Sequence, residues 1–203
     1  MQLNREEIEK SERTWRLNLI NSISGVKPAN LIGTKSKDGG DNVAIFSSVV
    51  HLGSHPAQLG FIIRPQSQAP RDTYRNILDT GFYSINQVGI PFVKKAHYTS
   101  AKLHSTESEF DRMKIEKAHL TTFPVPFVRE SPIKIGMKFI EGVPLPNGCI
   151  LMIGEVEILD FPDSAINELG QLNLSDLSGV GISGLNTYYQ LSKIGSFPYV
   201  RLN

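Results

Sequence analysis

Cysteine is nearly absent: Cys149 is the only one in 203 residues. That excludes a disulfide framework within the chain and a cysteine-ligated metal centre. Long apolar runs are absent too, and none approaches the roughly 20 residues that a membrane-spanning helix requires. Neither sign of charge prevails, since 21 basic and 20 acidic residues leave a net charge of +1. No broad field is therefore available to draw in nucleic acid or an anionic membrane surface. The opening stretch, MQLNREEIEKSERTW, is charged and holds no apolar signal core. A cytoplasmic, reducing location is the expectation.

Several familiar chemical motifs are also missing. There is no P-loop GKS or GKT and no GxSxG elbow. GVGISG, from Gly179 to Gly184, matches the GxGxxG spelling of dinucleotide-binding folds, which requires a strand before it and a helix after it. LNLSDLS precedes it and few residues follow, so a tight turn is the better reading. The histidines are His51, His55, His97, His104 and His119. His51 and His55 are four apart, but Gly53 and Pro56 argue against a helical metal-binding face. No metal site is expected.

What is present is an ordinary globular composition, 40% hydrophobic and 20% charged. Residues 4–24 read as one amphipathic helix, with Asn4 and Glu7 as a capping box and Ile8, Trp15, Leu19 and Ile23 near one face. The pattern then changes to short β-like runs: ANLIGTK, NVAIFSSVV and AQLGFIIR, separated by KDGGD and GSHP. PRDTYRNILDTG reads as a short helix from Pro70 to a stop at Gly81. FYSINQV is another strand, and the stretch from about Ile90 to Ala118 is polar and helical in pieces. PFVRESPIKIGMKFI and CILMIGEVEILDF are two long strands joined by VPLPNG. From Ser164 onward short helices precede a last strand. With no repeat or linker, residues 1–203 are expected to form one domain of the mainly β, α+β class, a barrel with peripheral helices.

One constellation carries chemistry. Asn42, Ser47 and Ser48 put small polar groups into an apolar run, Arg64 closes the next strand, and Arg71 and Thr73 open the short helix. A helix N-terminus offers free N–H groups and partial positive charge. Two guanidinium groups and a hydroxyl beside it suit a phosphate dianion. The competing reading is a surface helix capped by Asp72 with solvated arginines.

GGDNVAIFSSVV, SHPAQLGFIIRP and PRDTYRNILDTG, in that order and spacing, resemble the flavin-reductase-like, FMN-binding split-barrel family. That family includes reductase components of two-component monooxygenases and flavoredoxin-like proteins. AHYTSAKL, ESEFDRMKIEK, PFVRESPIKIGMK and GLNTYYQLSKIGSFPYVR resemble one of its subgroups, extending the likeness from about Gly25 to Arg201. Two departures stand out. VVHLG replaces the aromatic that commonly follows the serine strand, and AKL lacks the Tyr-Pro that often follows SAK.

The resemblance implies a Greek-key split β-barrel and FMN as cofactor, with FAD as the other flavin option. Asn42, Val43 and Ala44 would lie along the flavin, and Ser47 and Ser48 would reach its polar edge or ribityl chain. Arg64, Arg71 and Thr73 would hold the phosphate. His97, Ser100, Ala101 and Lys102 would approach from the other side or from the partner of a homodimer, Lys102 stabilising negative charge on reduced flavin. The flavin itself takes hydride from NADH or NADPH, so no catalytic acid–base pair is expected. Three functions remain open: a flavin reductase supplying a partner monooxygenase, an electron carrier with resident FMN, and a binding module without turnover.

Overall fold

The computed structural model describes residues 1–66, 71–104, 107–198 and 200. Two helices open the chain, α1 (Arg5–Lys10) and α2 (Arg13–Ser22). Asn4 Oδ1 accepts the Glu7 N–H at 3.0 Å while the Glu7 carboxylate accepts the Asn4 N–H at 2.8 Å. This is the reciprocal cap expected from the sequence. The single helix expected over residues 4–24 is nevertheless broken. Ser11 Oγ donates back to the Ile8 carbonyl, and the Glu12 carboxylate takes the Trp15 N–H as a second cap. Side chains here compete with the helical ladder and win.

The strands and helices that follow are β1 (Lys27–Pro28), β2 (Asn30–Lys35), β3 (Asp41–Phe46), β4 (Val50–Ser54), β5 (Ala57–Ile63), α3 (Asp72–Thr80) and β6 (Phe82–Gln87). A 3-10 turn (Ile90–Phe92) leads into α4 (Val93–Tyr98) and α5 (Glu109–Arg112). Then come β7 (Lys117–Ala118), β8 (Phe127–Val128), β9 (Lys134–Pro144), β10 (Ile150–Asp160), a second 3-10 turn (Asp163–Ala165), β11 (Val180–Ser183) and β12 (Thr187–Gln190). Helix α3 ends as expected at Gly81, whose φ of 76° is the left-handed stop that glycine adopts without strain. Pro70, the expected helix start, lies outside the described residues.

Seven antiparallel strands form the main sheet in the order β3-β2-β6-β9-β10-β5-β4. β3 and β4 thus occupy opposite edges, although only residues 47–49 separate them in the chain. In a flat sheet of seven strands those edges would stand about 29 Å apart. The four chain steps from Phe46 to Val50 span at most about 14 Å. The sheet must therefore curl until its edges approach, and no ladder pairs β3 with β4 among the described residues. The result is a barrel split at that seam, the expected architecture.

Ile32, Phe61, Ile63, Tyr83, Ile85, Met137 and Met152 form one core inside the curled sheet, with Ile77 of α3 packed into it. A second core lies on the other face of β2, where Leu31 and Val43 meet Val93 and Ala96 of α4, Phe110 of α5, and Val180 and Ile182 of β11. β2 is buried on both faces because Leu31 and Ile32 point to different cores, as the two-residue period of a strand dictates. β1, β11 and β12 form a small sheet over the second core.

Three expected elements differ. NVAIFSSVV is not one strand: it breaks at residues 47–49 to carry the chain across the seam. PFVRESPIKIGMKFI is likewise split into β8 and β9, because Ser131 Oγ donates to the Gln87 and Ile133 carbonyls and holds a turn between them. The C-terminal region contains two paired strands, β11 and β12, rather than one. GVGISG forms β11 and ends in a turn at Gly184, with φ of 64°. Among the described residues no helix follows it, so the dinucleotide-binding spelling lacks the helix that such a site requires.

Candidate functional site

The open edge of β3 and the first turn of α3 are held together by a buried polar network. Asn42 Oδ1 accepts from Thr73 Oγ1 at 3.2 Å and from Thr34 Oγ1 at 3.3 Å, and Asn76 Nδ2 donates to Thr34 Oγ1 at 3.1 Å. Asn42, Thr73, Asn76 and Thr34 are all buried. Buried polar side chains require partners, and these supply most of one another's needs, with Asn76 Oδ1 left unpartnered. On the opposite side, Asn42 Nδ2 donates to Glu109 Oε2 at 2.7 Å, and the Val43 N–H reaches the same oxygen at 3.4 Å. Ser108 Oγ donates to the Asp41 carbonyl at 2.6 Å.

These contacts define which way β3 faces. Asp41 and Val43 direct their backbone groups away from β2, towards α5. By the two-residue period Ile45 presents its N–H and carbonyl along that same outer edge. The next residues cross the seam, where Ser48 Oγ accepts the Ile62 N–H at 3.0 Å and donates to the Ile62 carbonyl at 3.3 Å. That bond sets the end of β5, and hence Arg64, beside the corner formed by Ser47 and Ser48.

Gln66 then joins the two arginines. Its Nε2 donates to the Arg64 carbonyl at 2.5 Å and its Oε1 accepts the Arg71 N–H at 3.0 Å. Arg64 and Arg71 are exposed, and among the described residues neither has a carboxylate within ion-pair distance. No side chain caps α3, so the first-turn N–H groups of Asp72, Thr73 and Tyr74 have no intrahelical acceptor. Asp72 is not the cap; its carboxylate pairs with Arg75. Asn42, Val43, Ala44, Ser47, Ser48, Arg64, Arg71 and Thr73 are thus brought together.

Two hydroxyls are turned differently from expectation. Thr73 Oγ1 spends its proton on Asn42, and Ser48 Oγ spends its proton on Ile62. Each joins parts of the site instead of pointing an unused donor outward. Sequence reasoning missed Gln66, Ser108 and Glu109; of these Ser108 and Glu109 left a trace, within the quoted ESEFDRMKIEK stretch.

His97, Ser100, Ala101 and Lys102 sit at the end of α4, which packs on β3 through Val93, Ala96, Val43 and Ile45. His97 Nδ1 lies 3.0 Å from the Tyr188 hydroxyl, and the two rings meet edge to face. Burial pushes the Tyr188 phenol up to about 12, so the phenol remains protonated across the neutral range. Ser100 Oγ donates to the His97 carbonyl at 2.8 Å and closes the helix. Ala101 and Lys102 are exposed, and no carboxylate among the described residues pairs with Lys102. A cleft of about 690 Å³ lies elsewhere, lined by Ser164, Asn167, Asn173, Asp176 and Lys193 among others. It contains none of the candidate residues. The candidate site is an open strand edge, not a cavity within one chain.

The model of the flavin reductase like domain matches residues 26–174. The chain belongs to this flavin-reductase-like family. A candidate flavin reductase with split barrel domain from Shewanella frigidimarina is 41% identical, with a TM-score of 0.94 over 98% of this chain and 100% of that one. Nitrilotriacetate monooxygenase component B from Bacillus cereus is 19% identical, with a TM-score of 0.85 over 97% of this chain and 98% of the other, a likeness of fold. The uncharacterized protein BH2278 of Halalkalibacterium halodurans is 30% identical over 195 residues, 88% of this chain and 90% of its own. Across the described residues no helix is long and apolar enough to cross a membrane.

The residues suit a flavin mononucleotide on chemical grounds. A phosphate dianion requires cations and N–H donors, and Arg64, Arg71 and the uncapped turn of α3 leave both unclaimed. The polar rim of a flavin ring requires backbone donors and acceptors, and the edge at Ile45 offers one of each.

Proposed function

We propose that this chain binds FMN along the open edge of β3 and reduces it at the expense of NADH or NADPH. The observation that carries this reading is the pairing of an unclaimed anion cradle with an open strand edge. Arg64 and Arg71, tied by Gln66, stand at the uncapped end of α3, which the Thr73–Asn42 bond fixes against β3. When bound, FMN supplies the redox chemistry, accepting hydride from the nicotinamide.

Everything else falls to the chain. Arg64 and Arg71 pair with the phosphate, and the first-turn N–H groups of α3 complete its shell. Asn42, Val43 and Ala44 set the height of the strand edge along the ring, with Ser47 at its corner. Lys102 and His97 stand at the end of α4, where the lysine places positive charge that favours an anionic ligand. No side chain has to move a proton for the hydride transfer itself. An edge open on one chain is naturally completed by a second copy, so a homodimer with flavin between subunits is part of the proposal. Likeness of fold to a monooxygenase component B favours an oxygenase as the consumer of reduced flavin.

The test is direct. FMN is added to the purified protein, and NADH or NADPH is then introduced without air. Bleaching of the yellow flavin band at a rate that saturates with one nicotinamide supports the reductase and names its donor. Tight FMN uptake with no bleaching by either would overturn the reductase in favour of a carrier or binding module. No uptake at all would remove the flavin site.

A further inference from the structure

We infer that Glu109 is a positioning residue for the phosphate cradle, acting at a distance through Asn42 and Thr73. The inference rests on the FMN reading above and assigns a role to a residue that touches no part of the cradle itself.

Glu109 is 7% exposed, an unusual place for a carboxylate with no cationic partner among the described residues. Its Oε2 instead collects two donors from β3, Asn42 Nδ2 at 2.7 Å and the Val43 N–H at 3.4 Å. The first bond fixes which end of the Asn42 amide faces which way. With Nδ2 held by Glu109, Oδ1 faces α3 and accepts the Thr73 hydroxyl at 3.2 Å. Thr73 stands in the first turn of α3, one residue beyond Asp72 and two beyond Arg71. The relay therefore runs from α5 through the start of β3 to the uncapped helix end.

Without Glu109 the Asn42 side chain loses the charge-assisted bond that pins it in place. Thr73 would then bond to a partner that is no longer fixed, and the first turn of α3 would lose its rigid anchor. The second contact, from the Val43 N–H, is long and satisfies an otherwise open strand edge, while the β2–β3 ladder fixes the height of β3 independently of Glu109. Ser108 Oγ on the Asp41 carbonyl holds α5 in place for both. Alternatives on the surface are weaker. The polar cleft of about 300 Å³ next to this network is lined by Asp41, Asp72, Arg75, Asn76 and Lys117. Its two unpartnered oxygens, Asp41 Oδ1 and Asn76 Oδ1, are themselves sealed from contact.

The relay ends at the phosphate end of the ligand, so its loss should be felt by FMN and not by riboflavin, which lacks the phosphate. The experiment is fluorescence titration of wild type, Glu109→Ala, Glu109→Gln and Thr73→Val with both ligands, alongside thermal unfolding. Wild type should prefer FMN. Glu109→Ala should weaken FMN about 10-fold and riboflavin less than about 2-fold, the loss of one charge-assisted hydrogen bond's worth of positioning. Glu109→Gln keeps an acceptor oxygen for Asn42 and should bind FMN as wild type does. Thr73→Val cuts the last link of the relay without changing its shape and should reproduce the FMN-selective loss even if the alanine variant folds poorly. Combining Thr73→Val with Glu109→Ala should add little to either. Equal losses for FMN and riboflavin in the single variants, or no loss, would overturn the inference while leaving FMN binding intact. A wild type that binds both ligands alike would instead remove the phosphate cradle on which the inference rests.

Discussion

The Ser48 hydroxyl holds both backbone groups of Ile62, accepting its N–H and donating to its carbonyl. Ser48 lies on the three-residue crossing between the two edges of the main sheet, and Ile62 lies in β5, next to the far edge. In the β4–β5 register Val50 faces Gly60, so Ser48 stands opposite Ile62 and its side chain carries that pairing past the end of β4 into the crossing. That bond keeps the corner fixed beside Arg64.

Ser48→Ala is expected to destabilise the fold by about 1–3 kcal/mol, since Ile62 would lose partners for two backbone groups in a half-buried corner. Urea unfolding followed by far-UV circular dichroism measures this. The midpoint should fall with its slope unchanged. A midpoint equal to that of wild type would show that water replaces the hydroxyl without cost and that the seam does not depend on it.

Arg64→Ala and Arg71→Ala should each weaken FMN by about 10- to 100-fold, the range for a hydrogen bond to a charged group. Riboflavin affinity should not change. Because both guanidinium groups are exposed, the preference for FMN should also shrink as salt rises past about 0.1 M. A preference that survives both substitutions would place the phosphate elsewhere.

Elements with local signals were legible from sequence, and those that depend on distant contacts were not. The α3 stop at Gly81, the capping box at Asn4 and the strands β2 and β6 each follow from residues within a few positions. The break after Phe46 is different. NVAIFSSVV alternates well enough for one strand, and only the meeting of Ser48 with Ile62, 14 positions away, shows why it turns. Arg64 and Arg71 were visible as cations beside a helix start. Glu109 reaches Asn42 across 67 positions, and no local spacing could pair them. Thr73 was visible as a hydroxyl in the first turn of a helix, but that hydroxyl faces inward because Asn42, with its amide held by Glu109, offers it an oxygen.

Tyr83 tests the opposite kind of buried polar group. Its hydroxyl is buried with no hydrogen-bond partner among the described residues, and burial raises its pKa. It stands over Gly154, where a Cβ would collide with the phenol oxygen. The ring itself packs edge to face on Phe61, with centroids 5.4 Å apart. Tyr83→Phe keeps the ring and removes an unsatisfied hydroxyl, so it should raise stability by about 1 kcal/mol. A lower unfolding midpoint would mean that the hydroxyl has a water partner worth more than its desolvation.

Glu109 gives the fold a pH dependence whose sign can be worked out. Burial raises its pKa most, with the Asp72 charge adding to the rise, against the lowering effect of backbone N–H groups and Asn42. Its unfolded value is about 4.3. Between that value and the higher folded one, the folded chain binds more protons than the unfolded chain, so stability falls as pH rises through the window. Below it both states are protonated, and the contribution is fully present. Above the folded value the loss is complete and the curve is level. A glutamine cannot titrate and keeps an acceptor for Asn42. The stability of Glu109→Gln relative to wild type should therefore increase as pH rises through that window and then hold steady. Urea midpoints of the two proteins at stepped pH values measure the difference. A gap that is constant from acid to neutral would mean that Glu109 titrates in the fold as it does in the open chain, its burial offset by the donors around it.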